Sequence, residues 1–193
     1  MPNYRRAWTP GGTFFFTHAL LDRTSDLLVT RVDALRDAVT RIRVRHPFDI
    51  HAFVVLPDHL HAVLRLPDGD ADFATRWRLI KAAFSRHIAP GKRCRESRIA
   101  RGERGIWQRR YWEHRVRDEA ELFTYVDYCH INPLKHRLVE RVRDWPHSTF
   151  HRDVRAGNLP IDWGGEVVHD RSAADVAAGE PPSPRVCDDG RHA

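Results

Sequence analysis

His59-Leu60-His61 and Tyr128 are the residues of this 193-residue chain whose types and spacing point most directly to chemistry. On a strand, positions i and i+2 share a face, so the two imidazoles project together while Leu60 enters the opposite face. Two same-face imidazoles can chelate one divalent cation, which polarises a phosphoryl oxygen and stabilises the charge that develops on it. The chain holds 13 histidines, so a pair at this spacing also arises as two ordinary strand histidines. Tyr128 lies four residues before Asn132, one helical turn along a shared face. A phenol attacks phosphorus once its proton is removed or its oxyanion is stabilised by a cation. An asparagine carbonyl oxygen suits a hard cation such as Mg2+ or Mn2+. The same two residues also read as a core aromatic and a polar cap before Pro133. Tyr125, three residues earlier on roughly the same face, is a competing nucleophile.

These residues need elements to carry them. Gly11-Gly12 opens an apolar, aromatic run from Thr13 to Leu21 that predicts a first strand. Val32, Leu35, Val39 and Ile42 recur at helical spacing up to Val44, and His46-Pro47 ends that helix because the residue before proline is pushed from the α region. Phe48 to Leu56 and His59 to Leu66 predict two strands joined by a short turn at Pro57-Asp58. After Pro67-Asp68-Gly69-Asp70, a helix from Asp72 to about His87 carries Phe73, Trp77, Ile80 and Phe84 on one face. Ile106 to Val116 predicts a fourth strand. Acidic residues 118–121 suit the positive end of a third helix, which Pro133 is expected to stop at about Asn132. The order β-α-β-β-α-β followed by a helix predicts an α+β fold of ferredoxin-like (split βαβ) type, an antiparallel sheet with two helices on one face.

Composition bounds the rest. An apolar content of 41% and a charged content of 30% suit a single globular domain, expected over residues 1–165. No run approaches the roughly 18 apolar residues of a spanning helix, and the start of the chain lacks the apolar segment of a secretory signal. Three scattered cysteines, Cys94, Cys129 and Cys187, match neither a disulfide framework nor a zinc spacing, so a cytoplasmic location is expected. Residues 161–193 hold seven acids against three arginines, a net charge of −4, and with a total of +6 the remainder carries +6 − (−4) = +10. A basic body is what phosphate neutralisation requires. Residues 166–193 have too few apolar side chains to pack and are expected to be a disordered acidic tail.

Several blocks together resemble one family. They are Gly12-Thr13-Phe14-Phe15-Phe16-Thr17, the run Val54 to Leu64 around His59-Leu60-His61, Asp72 to Lys81, Ile106 to His114, Tyr128 to His136, and Asp144 to Phe150. The chain is similar to the IS200-like single-tyrosine HUH transposases, and within them to the REP-associated tyrosine transposases, over roughly residues 10–165. The resemblance implies the same ferredoxin-like sheet, with a divalent metal, Mg2+ or Mn2+, held by His59, His61 and Asn132. It places the nucleophile on Tyr128, four residues before the asparagine of the Asn-Pro pair, rather than on Tyr125. It further implies attack on a scissile phosphodiester of single-stranded, hairpin-forming DNA, giving a 5′-phosphotyrosine and a free 3′-hydroxyl. Reversal with a different 3′ end would complete strand transfer. Ile131 stands where many relatives carry tyrosine, and Arg137 where they usually have the glycine that ends the turn.

Basic side chains are expected to complete a DNA-binding surface. Arg76, Arg78 and Lys81 share the second helix, and Arg109, Arg110, Arg115 and Arg117 follow the fourth strand and its exit. These suit phosphates, while Trp77, Trp107 and Trp112 suit stacking on unpaired bases. The plainer reading makes the tryptophans core and the arginines a solvated face. The arginine-rich loop 92–104 fits either a hairpin stem or solvent. Two other functions share the fold: an RNA-binding sheet of RRM type, for which an RNP1-like strand is missing, and a domesticated relative that binds single-stranded nucleic acid without turnover. The protein is expected to act as a monomer or homodimer.

Overall fold

In the computed structural model, which describes residues 9–86, 88–89 and 104–164, the sheet is built first from phenylalanines. Strand β1 (Thr13–Ala19) buries Phe14, Phe15 and Phe16 on alternating faces, which requires both faces of the sheet to be covered. A short helix α1 (Leu27–Thr30) precedes α2 (Val32–Arg45), then β2 (Asp49–Val55), β3 (His59–Arg65), α3 (Phe73–Ser85), β4 (Trp112–Arg115) and α4 (Glu119–Lys135). A 3-10 turn (Val142–Asp144) and α5 (Phe150–Arg155) close the chain. The four strands lie in the order β2-β3-β1-β4, all antiparallel, the split βαβ arrangement expected from the element order.

Helices α2 and α3 cover one face. Leu35, Val39, Ile42, Trp77, Ile80 and Phe84 meet Phe14, Phe16, Leu60 and Leu64 there. The other face is covered by α4, whose Tyr125, Tyr128 and Cys129 pack on Phe15, Ala52, Val54 and Val63. Leu60 thus enters the α2–α3 core, while His59 and His61 turn toward α4. Because β3 and β1 are the inner strands, His61 sits at the centre of the sheet, with Thr17 of β1 opposite it in register.

Two expectations change in detail. The fourth strand is short: instead of running from Ile106 to Val116, regular pairing is confined to Trp112–Arg115. An isolated bridge from Leu20 to Trp107 continues the edge beyond the Arg109-Arg110 break. Pro133 does not stop the third helix, which runs on to Lys135 with the proline inside it. A proline so near the end removes a single N–H from the ladder, and the last turn supplies other bonds. The His136 N–H donates to the Asn132 carbonyl, the Arg137 N–H to Leu134 and the Leu138 N–H to Pro133. The segment after α4 also returns to the sheet. Val55 N–H donates to His147 and Thr149 N–H to Phe53, so the outer side of β2 is partly covered. The expected tail 166–193, the start of the chain, and residues 92–103 of the arginine-rich loop lie outside the described residues.

Candidate active site

The site forms where β3, β1 and α4 meet. Asp118 caps α4 by accepting the Glu121 N–H at 2.8 Å. Glu121 itself is buried and accepts from the Arg117 backbone at 2.6 Å, from the Arg117 guanidinium at 3.0 Å and from His114 Nε2 at 2.8 Å. Burial opposes the Glu121 charge, but these partners outweigh it and hold its carboxyl at about 2. This fastens the start of α4 to the end of β4 and sets where the helix lies over the sheet.

Tyr128 then falls directly against His61. Their rings are 5.2 Å apart, edge to face, and Phe15 stands edge-on to Tyr128 at 5.7 Å. The imidazoles of His59 and His61 are 5.0 Å apart. Asn132, one turn beyond Tyr128, is wholly buried. Yet neither Asn132 Oδ1, Asn132 Nδ2 nor His61 Nε2 has a hydrogen-bond partner. Three buried polar atoms left unmatched in one place are costly unless something binds them.

Each histidine is oriented from behind. His59 Nδ1 lies 2.7 Å from Asp58 Oδ1, and His61 Nδ1 lies 2.9 Å from Thr17 Oγ1. With Nδ1 carrying the proton and donating in each case, both Nε2 lone pairs are left for a ligand, the outer-shell arrangement that metal-binding histidines use. Asp58 is further ion-paired with Arg23. Burial opposes its charge, but the His59 and Arg23 hydrogen bonds bring its carboxyl down to about 2. Burial first, and then the neighbouring His59, His136 and Lys135, hold His61 well below its ordinary range, so it rests neutral, as ligation requires. Among the described residues no three His, Cys, Asp or Glu side chains cluster as a metal site, so the available donors are two imidazoles and the Asn132 amide oxygen. Burial pushes the Tyr128 phenol above its ordinary value, so it rests protonated.

Tyr125 occupies a different place. It stacks on Phe15 at 4.7 Å and packs near His114, away from the histidine pair, and burial pushes its phenol up to about 12. Two residues near the site were not singled out by spacing. His136 stands 4.8 Å from His59, and Lys135 holds its ammonium 4.7 Å from the Tyr128 ring centroid. The signal for His136 was present in the sequence, four residues past Asn132 on the same helix face. Thr17 and Asp58 are revealed as histidine partners by strand register and turn geometry.

The expected DNA-contacting cations divide. Arg76 is a correction: it lies inside the protein, not on its surface. Its guanidinium donates to Asp70 at 2.6 and 3.1 Å and to the carbonyls of Pro47 and Asp72. Those bonds occupy the groups that would grip phosphate. Lys81 is half-buried, donates to the Gln108 carbonyl at 3.1 Å, and is brought down to about 8 by burial. Arg78, Arg109, Arg110 and Arg115 are exposed, as is Arg117, which pairs with Glu121; Arg109 too has a partner within the protein. Arg78 and Lys81 belong to α3 and so lie across the sheet from the histidine pair. Trp77 is core, whereas Trp107 and Trp112 are half-buried, Trp107 donating to Ser85 Oγ at 3.2 Å.

A split βαβ sheet that presents a histidine pair from an inner strand to a tyrosine on the helix across it is the arrangement that the resemblance to single-tyrosine transposases implied. The chain is 46% identical over 180 residues to the REP-associated tyrosine transposase of Escherichia coli K12, covering 93% of this chain and 98% of that protein. A Haemophilus influenzae relative assigned to the same group is 45% identical over 168 residues, covering 86% of this chain and 94% of its own. A solved REP-associated tyrosine transposase bound to a REP hairpin matches with a TM-score of 0.75 and 47% identity, over 90% of this chain and 96% of that one. No profile of a protein family matches the chain. At this identity and coverage, the chain belongs to the REP-associated tyrosine transposases. No helix among the described residues is long and apolar enough to cross a membrane.

Proposed function

We propose that this transposase cleaves and rejoins single-stranded DNA at hairpin-forming elements, with Tyr128 as nucleophile and His59, His61 and Asn132 as ligands of one Mg2+ or Mn2+ ion. The observation that carries the reading is the meeting of Tyr128 and His61 at 5.2 Å beside the unmatched polar atoms of His61 and Asn132. Two imidazole nitrogens and an amide oxygen fit a divalent ion of intermediate to hard character. When bound, such an ion supplies Lewis-acid stabilisation of the phosphoryl oxygens. Tyr128 meets His61 of its own chain, so the reading needs no second copy.

The chain's own residues do the remainder. Tyr128 Oη attacks phosphorus, its proton passing to solvent. The P–O3′ bond breaks, and the departing O3′ takes up a proton to become a free 3′-hydroxyl. The Oη–P bond is a 5′-phosphotyrosine, which a different 3′-hydroxyl reverses to complete strand transfer. Asp58 and Thr17 hold the imidazoles in one tautomer through both steps. Arg78, Arg109, Arg110 and Arg115 offer exposed charge to DNA phosphates, in keeping with a relative solved on a REP hairpin.

Incubating the protein with an end-labelled hairpin oligonucleotide and Mn2+ tests the reading. A covalent protein–DNA adduct is expected, lost in Tyr128→Phe and lost with chelator. An adduct that survives Tyr128→Phe would mean another nucleophile. No adduct together with intact hairpin binding would favour a protein that binds without turnover.

A further inference from the structure

The end of α4 is shaped by an unusual residue. The Leu138 N–H donates to the Pro133 carbonyl at 3.0 Å and the Arg137 N–H to the Leu134 carbonyl at 2.9 Å. This bond pair is a Schellman closure, which needs a left-handed residue just past the helix. Arg137 supplies it with φ 57, the one non-glycine residue with positive φ among those described. The closure ends the helix at Lys135, seven residues and about two turns beyond Tyr128 on the same face.

Lys135 is exposed, yet its ammonium lies over the Tyr128 ring, 4.7 Å from the centroid. An exposed cation–π contact contributes about 0.5–1 kcal/mol to stability. Phe15 and His61 meet the same ring, and Lys135 brings an ammonium to it. The phenol it covers becomes electron-rich as its proton leaves, and the phosphorane that forms beside it carries additional negative charge. A preplaced cation gains strength as that charge develops.

We propose that Lys135 is a further catalytic residue of strand cleavage: its ammonium pairs with a nonbridging oxygen of the scissile phosphate while Tyr128 attacks. The inference rests on Tyr128 being the nucleophile. Lys135 neither gives nor takes a proton; the bonds made and broken are those already described, and its charge lowers the cost of making them.

Single-turnover adduct formation on a labelled hairpin oligonucleotide with saturating Mn2+ tests this, comparing wild type, Lys135→Gln and Lys135→Arg. Lys135→Gln is expected to slow adduct formation by about 10²–10³-fold, the usual loss for one transition-state donor. Its hairpin Kd, measured in a Tyr128→Phe background, is expected to change by less than about tenfold, as for one phosphate contact. Its Mn2+ affinity and melting temperature should match wild type, and Lys135→Arg should restore most of the rate. A Lys135→Gln rate equal to wild type overturns the proposal while leaving Tyr128 in place. So does a loss that appears wholly in hairpin or Mn2+ affinity, or an arginine variant as slow as the glutamine one. A wild-type protein that forms no Tyr128-dependent adduct overturns the nucleophile assignment first, and this proposal with it.

Discussion

Thr17 Oγ1 lies 2.9 Å from His61 Nδ1, across the register that pairs β1 with β3. The bond fixes the orientation of a buried imidazole, and with Thr17 Oγ1 accepting, Nδ1 carries the proton and Nε2 is left for a ligand. Losing such an outer-shell partner usually costs about 10–100-fold in metal affinity or activity. Thr17→Val is therefore expected to weaken Mn2+ binding by a factor in that range, measured by titration calorimetry. The nearly isosteric change keeps the packing but leaves a buried imidazole nitrogen unmatched, so stability should fall by about 1–3 kcal/mol, a drop in melting temperature of several degrees. Unchanged Mn2+ affinity would mean that Thr17 does not orient a ligand.

Much of this arrangement is legible in the sequence, and its failures have physical causes. Two local periodicities place His59 with His61 on one strand face and Tyr128 with Asn132 on one helix face, while the choice of Tyr128 over Tyr125 came from the family resemblance. What escapes is set by closure and packing. Pro133 reads as a stop because proline disrupts a helix interior, but near a C-terminus it removes one bond that the Schellman closure replaces. Arg76 reads as a surface cation from its type, and only its Asp70 and Pro47 partners show it to be interior. Lys135 and His136 sit beside the site because the helix runs three residues further than the proline suggested.

Tyr125 offers a sharp control for the nucleophile. Its ring stacks on Phe15 and its phenol is pushed up to about 12, on a part of α4 that does not face His61. Tyr125→Phe is expected to retain the DNA adduct, with a stability change within about 1 kcal/mol, since the ring stays and only a hydroxyl is lost. Electrophoresis of the denatured adduct reads the first outcome and urea unfolding the second. Loss of the adduct in Tyr125→Phe but not in Tyr128→Phe would exchange their roles.

Arg137 sits in a left-handed conformation that costs a side-chain-bearing residue roughly 1–2 kcal/mol and glycine almost nothing. Glycine also loses more freedom on folding, so the net gain of Arg137→Gly is expected to be about 0.5–1 kcal/mol. A rise in melting temperature of roughly 1–4 °C would show it. A fall would mean that the arginine side chain makes a contribution larger than the strain it imposes.

Glu121 couples acid stability to the position of α4. Its carboxyl titrates at about 2 in the folded chain and near the ordinary glutamate value when unfolded. A depressed folded value means the contribution is complete above the unfolded value of about 4.3 and is lost as pH falls toward 2. Glu121→Gln should remove it, lowering stability at pH 7 by about 1–3 kcal/mol, the range for a hydrogen bond to a charged group. Between pH 4 and pH 2 the variant and wild type should converge. Parallel stability curves across that interval would show that Glu121 is not held ionised by its partners.

Arg76 and Arg78 share one helix and should respond in opposite ways. Arg76 is 3% exposed and satisfies a partly exposed Asp70 and two carbonyls, so Arg76→Met removes several charged hydrogen bonds and should cost about 1–3 kcal/mol of stability. Where enough protein stays folded, its hairpin affinity should keep the wild-type dependence on salt, because no phosphate contact has been removed. Arg78 is exposed, and Arg78→Gln should change stability by no more than about 0.5 kcal/mol. If Arg78 holds a phosphate, the slope of log affinity against log salt should fall by about one. Hairpin titrations at several salt concentrations, with urea unfolding of the same preparations, separate the two. A salt slope lowered by Arg76→Met, with stability intact, would return Arg76 to the DNA-binding surface.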